Sequence, residues 1–162
     1  MSERIELAQY AREELRGEAV YRGYRPRTAL LENVSQLLPR AHVVVVSGAW
    51  CGDCRREVPK LARIMESLPD TWTVEFSPHD DEETRQRYDV LAIPQFIVLD
   101  RPDGTQLGRI IESPSSPDGL EGDLLDIAQR ATAVQRAEPA EGPQGRNRTL
   151  SPDTSAIRSP GT

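Results

Sequence analysis

An α/β fold with a central mixed sheet flanked by helices is predicted for this 162-residue chain by three observations. Val43 to Val46 is an unbroken apolar run, as a strand buried on both faces requires. Pro59, Leu61, Ala62, Ile64, Met65 and Leu68 then recur with helical spacing, and a second strand-like stretch, Trp72 to Phe76, follows; this β-α-β order implies parallel pairing through a right-handed crossover. Finally, Phe96 to Leu99 and Gln106 to Ile111 flank the turn residues Pro102, Asp103 and Gly104, which favour an antiparallel hairpin.

The remaining elements fill in around this frame. From Glu3 to Arg16 the residues Ile5, Ala8, Ala11 and Leu15 fall on one helical face that stops near Gly17, an extra helix ahead of the sheet domain. Tyr21 to Arg27 mixes two tyrosines with three arginines. Stacking and phosphate binding is one reading of it, but in an acidic chain a surface loop with snorkelling arginines is the simpler one. Leu30, Leu31, Val34, Leu37 and Leu38 make an amphipathic helix closed by Pro39. Asp80 to Tyr88 is a short charged helix, and Leu120, Leu124, Ile127, Ala128 and Ala131 share one face of a last helix. The expected organisation is thus an accessory helix and loop over 1–26, a sheet domain over 27–136 and a tail over 137–162. That tail is rich in Pro, Gly, Ser, Thr and Arg, has only Leu150 and Ile157 as large aliphatic residues, and cannot offset its ordering entropy by burial.

A net charge of −6 and a pI near 5.0 oppose nonspecific binding to nucleic acid or to an anionic membrane surface. The N-terminal stretch has no apolar core of signal-peptide length, and the longest apolar runs are too short to span a bilayer. Two cysteines are poor material for a structural disulfide framework, and in a reducing compartment a CxxC after a strand favours redox chemistry. A cytoplasmic location is the expectation.

The two cysteines, Cys51 and Cys54, stand where the strand turns into the helix. There the first amides lack intrahelical partners and the helix end is positive, which favours a thiolate, the nucleophilic form, at Cys51. Cys54 lies one helical turn further in, placed to attack a mixed disulfide formed at Cys51. Asp53 is favourable towards the helix dipole but unfavourable towards a neighbouring thiolate, and Arg55 and Arg56 act the other way. A CxxC can instead present two thiolates to a metal. A closed zinc site needs two further ligands, however, and His42 and His79 lack ligand spacing and read as surface or strand-end residues. The alternative to dithiol chemistry is therefore a non-catalytic metallochaperone or redox-responsive adaptor using the same pair.

With Trp50 before the first cysteine, Pro59 five residues after the second, and Ile93 and Pro94 about forty residues on ahead of the run Phe96 to Leu99, the sequence resembles the thioredoxin family over about residues 27–135. The resemblance implies a thioredoxin-like fold, a cis-proline loop at Pro94 facing the cysteines, and substrate contacts from Trp50, Ile93 and Pro94, with the Ile93 backbone pairing to an extended segment. It also implies protein or small-molecule disulfides as substrates, a separate reductant to recycle the pair, and no bound cofactor or metal. Three departures stand out. Gly52 and Asp53 replace the usual Gly and Pro between the cysteines. Val45 occupies the place of the buried aspartate that helps to deprotonate the second cysteine. No glycine is evident near Ile110, Ile111 and Glu112, where the family uses one in its last strand. Glu75 is the only carboxylate that the spacing places on a neighbouring central strand, so it is the candidate general base; the alternative is an exposed Glu75 with water accepting the proton.

Because the tail lacks a hydrophobic pattern, deleting 137–162 is expected to leave the thermal midpoint and disulfide reduction nearly unchanged; a large loss of cooperativity on truncation would show that the tail docks.

Overall fold

The computed structural model describes residues 2–137; all but the first residue of the tail assigned above lies outside the described residues. Helix α1 (Glu3–Gln9) runs into a π-helical turn, Tyr10–Glu14, and is followed by α2 (Glu18–Gly23), α3 (Thr28–Leu37), strand β1 (Ala41–Ser47), α4 (Gly52–Glu66), β2 (Trp72–Pro78), α5 (Glu82–Arg87), β3 (Gln95–Leu99), β4 (Gln106–Ile111) and α6 (Gly119–Ala137). The sheet order is β2-β1-β3-β4, with β1 parallel to β2 and antiparallel to β3, and β3 antiparallel to β4. This is the mixed, thioredoxin-like α/β arrangement expected, with the crossover through α4.

Alternation along β1 divides the core. Val43, Val45, Phe96, Val98, Trp72 and Val74 belong to a large cluster that also takes in Leu7, Leu31, Leu61, Leu124 and both cysteines, so α1, α3, α4 and α6 all contribute to it. On the other face Val44, Val46, Ile97 and Leu99 pack beneath Val90, just after α5, in a much smaller cluster. Helices flank both faces, unequally, and the cysteines belong to the heavily covered one.

The N-terminal segment departs from the expected single helix. After Gln9 the ladder widens, with Leu15 N bonded to Tyr10 O at 3.0 Å, an i→i+5 register that inserts a π turn. Leu7, Tyr10, Ala11 and Leu15 are buried, whereas Ile5, placed inward by a regular helical reading, is 56% exposed. At roughly 1.5–3 kcal/mol for a fully buried leucine, Leu7 and Leu15 anchor this segment as firmly as any other element of the core. Arg4 Nε donates to Trp72 O at 3.1 Å and Nη1 to Leu68 O at 3.2 Å, tying α1 to the α4–β2 connection.

Tyr21 to Arg27 is a surface loop only from Tyr24 onward, since α2 takes up its first three residues; its arginines are exposed as expected, whereas both tyrosines are half-buried. The Arg12 and Arg63 guanidinium groups sit 5.2 and 5.1 Å from the centre of the Tyr21 ring. Tyr24 and Arg27 both bind the buried carboxylate of Glu121, Arg27 at 3.1 Å. These side chains hold helices together. His42 is also corrected: it is buried on β1, with Nδ1 2.6 Å from Thr73 Oγ1 and Nε2 3.1 Å from Glu75 Oε2.

Gly17 lies where the N-terminal segment meets α4. A Cβ there would stand 2.3 Å from Pro59 Cγ and 2.6 Å from Ala11 O. Neither the proline ring nor the backbone oxygen can swing aside, so Gly17→Ala is expected to lower stability by about 1–3 kcal/mol, measured by denaturant unfolding; an unchanged midpoint would show that the segment can lift off α4.

Candidate active site

Strand β1 ends at Ser47 because Gly48 to Trp50 turn the chain, and Cys51, with φ −80° and ψ 120°, caps α4. The cap is sulfur where most helices use oxygen: Cys51 Sγ accepts the Cys54 amide at 3.2 Å. This satisfies one of the four orphan donors of the helix start and directs its positive end at the sulfur. Cys51 is 7% exposed and its Sγ lies 3.6 Å from Ile93 O, while Cys54 is wholly buried beneath it. Both thiols are free. Burial and the hydrogen it shares with Cys51 push the Cys54 thiol up to about 12, against smaller opposing effects from the Ser47 hydroxyl and the Gly48 backbone. Cys54 therefore stays protonated well above neutral pH.

A cleft of about 510 Å³ opens at Cys51, lined also by Trp50, Gly52, Asp53, Ala92, Ile93 and Glu112. Trp50 is 68% exposed and its indole N–H donates to His79 Nε2 at 3.4 Å, with the rings edge to face. The Ile93–Pro94 peptide bond is cis, and Gln95 Oε1 accepts the Leu91 amide at 3.2 Å across this loop. Glu112 stands at φ +62° with its amide bonded to Pro94 O at 2.8 Å. A left-handed backbone is thus present just after β4, carried by glutamate instead of glycine. The opposed charges near Cys51 are largely paired off: Arg56 binds Asp53 at 2.7 Å and Glu57 at 2.8 Å, and Arg55 donates to Ala49 O at 3.1 Å.

The structure brings Trp50, Cys51, Cys54, Ile93 and Pro94 together and leaves Glu75 out. Glu75 is in register with Val44, not Val45, and side chains one residue apart on a strand point to opposite faces. Its carboxylate therefore lies on the far side of the sheet, 53% exposed and paired with His42, and cannot reach Cys54. The β2 side chain that does face the cysteines is Phe76, in register with Val45 and stacked on Tyr10 at a centroid separation of 4.2 Å. Tyr10 and Ser47, joined by a 3.0 Å hydrogen bond, are the side chains near Cys54 that sequence reasoning missed. The position of Ser47, two residues after Val45 on the same strand face, was the available signal.

Among the described residues no group of three or more His, Cys, Asp and Glu side chains is arranged to hold a metal, and no helix is long and apolar enough to cross a membrane. A thioredoxin family model matches residues 1–124, and the chain belongs to that family. It is 27% identical to the mitochondrial thioredoxin-3 of Saccharomyces cerevisiae over 52% of this chain and 64% of that one. To thioredoxin-2 of Pyricularia oryzae it is 29% identical over 38% of this chain and 35% of that one. The chain thus matches less than two thirds of the length of either relative. A crystal structure of a Pseudomonas aeruginosa protein of unknown function has the same fold, with a TM-score of 0.55 and 22% identity over 81% of this chain and 87% of that one. Family membership and the adjacent cysteines support a thioredoxin-like redox role.

Two measurements check this geometry. Brief iodoacetamide treatment near neutral pH should label Cys51 and spare Cys54, read by peptide mass mapping; preferential labelling of Cys54 would reverse the roles. Glu75→Gln should leave the reactivity of both thiols unchanged, and a slower reaction at either sulfur would bring Glu75 back into the site.

Proposed function

We propose that the protein is a thiol–disulfide oxidoreductase that reduces disulfides through the Cys51/Cys54 couple. The observation that carries this reading is the sulfur-capped start of α4: a nearly buried Cys51 Sγ holding an amide hydrogen bond, with the second thiol one turn below it. In the first step Cys51 thiolate attacks a substrate disulfide, forming a mixed disulfide and releasing one substrate sulfur. Cys54 then attacks Cys51 Sγ, releasing the other. The substrate gains two electrons and the pair becomes a disulfide, which a dithiol reductant must reopen.

Substrate binding follows from the walls of the cleft. Trp50 offers an exposed apolar plate on one side, and Ile93, beside Pro94, forms the other. An extended peptide between them reaches Cys51 without unfolding anything. Protein disulfides are therefore the substrate class we favour, with the cytoplasm as the location, where a reducing pool keeps such a pair in the dithiol form.

Insulin reduction with dithiothreitol as electron source tests the proposal. Turbidity should appear faster with the protein than without it, Cys51→Ser should abolish the acceleration, and Cys54→Ser should accumulate a mixed disulfide visible by mass. Stoichiometric Cu(I) binding with no acceleration would contradict the enzyme and support a carrier.

A further inference from the structure

The resolving step needs Cys54 to give up its proton, and among the described residues no carboxylate is placed beneath it. Val45 is apolar, and Glu75 is on the other face of the sheet. Glu57, one turn further along α4, is held through Oε1 by Arg56 at 2.8 Å and by Lys60 at 3.6 Å; its buried Oε2 has no partner, and it is not among the groups that act on Cys54. Ser47 ends β1 two residues after Val45, on the sheet face of the cluster that holds both cysteines, and its hydroxyl favours the ionised Cys54 thiol. Ser47 is 1% exposed, and its Oγ is 3.0 Å from Tyr10 Oη, itself in a residue 8% exposed. Tyr10 is held there by the π turn and by its stacking on Phe76.

From this geometry we propose, on the dithiol-exchange reading above, that Ser47 and Tyr10 form a neutral hydrogen-bond chain that stabilises Cys54 as a thiolate during resolution, Ser47 acting directly on the sulfur and Tyr10 positioning Ser47. The donor count fixes the direction. A thiolate has no hydrogen and each hydroxyl has one, so all three groups are satisfied only if Tyr10 donates to Ser47 and Ser47 donates to Cys54. Tyr10 is a donor and not a base, because burial raises its phenol above the ordinary value. While Cys51 is free, the hydrogen shared between the sulfurs keeps Cys54 protonated. Once Cys51 Sγ is bonded to a substrate sulfur it no longer competes for that hydrogen, and the Ser47 donor remains.

The step balances without another reactant. The Cys54 S–H bond breaks and the proton passes to solvent. The Cys54–Cys51 S–S bond forms as the Cys51–substrate S–S bond breaks, and the substrate leaves as a thiolate that takes up a proton. The titratable groups facing this chain are few. Cys51 acts on Cys54; Cys54, Glu14 and Cys51 act on Tyr10. Asp53 is paired with Arg56 at 2.7 Å, and β2 presents Phe76.

The test uses the reduced protein with 5,5′-dithiobis(2-nitrobenzoate). Attack by Cys51 releases one coloured thiolate and resolution by Cys54 releases a second, so both steps are read in one stopped-flow trace. Tyr10→Phe and Ser47→Ala are each expected to slow the second release about tenfold, as loss of a hydrogen bond to a charged group predicts. Both should move its pH midpoint upward and leave the first release unchanged. Ser47→Thr, which keeps the hydroxyl, should restore the second rate. The double variant should be no slower than Ser47→Ala, because Tyr10 acts through Ser47. Thermal unfolding of each variant separates these effects from misfolding, and the Ser47 pair decides the matter if Tyr10→Phe does not fold. An unchanged second rate and pH midpoint in folded variants, or additive losses in the double variant, would overturn the chain and leave dithiol exchange standing. Absence of any second release from the unsubstituted protein would overturn dithiol exchange itself.

Discussion

The hydrogen bond from the Cys54 amide to Cys51 Sγ is the contact on which the site depends. It exists because a strand buried on both faces stops at Ser47, and a three-residue turn delivers Cys51 to the cap of a helix long enough to have a defined positive end. One bond serves two purposes. It satisfies an orphan donor of α4, and it fixes the Cys51 sulfur toward the Ile93 carbonyl and the open cleft. The two sulfurs are then unequal by construction: the same helix that sets Cys51 at the cleft carries Cys54 into the core, where desolvation holds it as a thiol.

The N-terminal segment is part of this device. A regular helix would present Ile5 inward. The widened turn at Tyr10–Glu14 instead brings Tyr10, Ala11 and Leu15 together against the sheet and α4. Gly17 allows the contact with Pro59, and Arg4 fastens the other end to the carbonyls of Leu68 and Trp72. The result is a lid of helix over Cys54 that supplies a phenol where a hydroxyl on β1 needs a donor. Tertiary packing thus supplies a polar group, the Tyr10 hydroxyl, that the sequence around the cysteines does not contain.

What was legible in the sequence was set by periodicity and by spacing. Four consecutive valines, the helical spacing after Cys54 and the Pro102–Gly104 turn placed the sheet and its crossover, because those signals are local. One turn placed Trp50, Cys51 and Cys54, a local signal, whereas Ile93 and Pro94 were set opposite them by the family resemblance alone; in the structure Cys51 Sγ lies 3.6 Å from Ile93 O. Glu75 failed because spacing identifies the strand but not the face; a register one residue different would have reversed the conclusion. Tyr10 and the buried His42 were missed because their partners lie 37 and 31 residues away, and no local pattern encodes such a contact. The π turn was invisible for the same reason, since tertiary packing decides which extra residue the ladder accommodates. The Tyr21–Arg27 cluster shows the converse: its composition reads as surface, yet Glu121 and Glu66 on distant helices draw its tyrosines inward.

On the dithiol-exchange reading Cys51 and Cys54 form one two-electron couple, with the wholly buried thiol as the internal partner of the one at the cleft. Equilibration in glutathione buffers of graded potential, followed by acid quenching, alkylation and intact mass, tests it directly. The account predicts a single transition to an intramolecular Cys51–Cys54 disulfide, with a tenfold change in the oxidised-to-reduced ratio for about every 30 mV, as a two-electron couple requires. A stable glutathione adduct on Cys51 with Cys54 still a free thiol would contradict it.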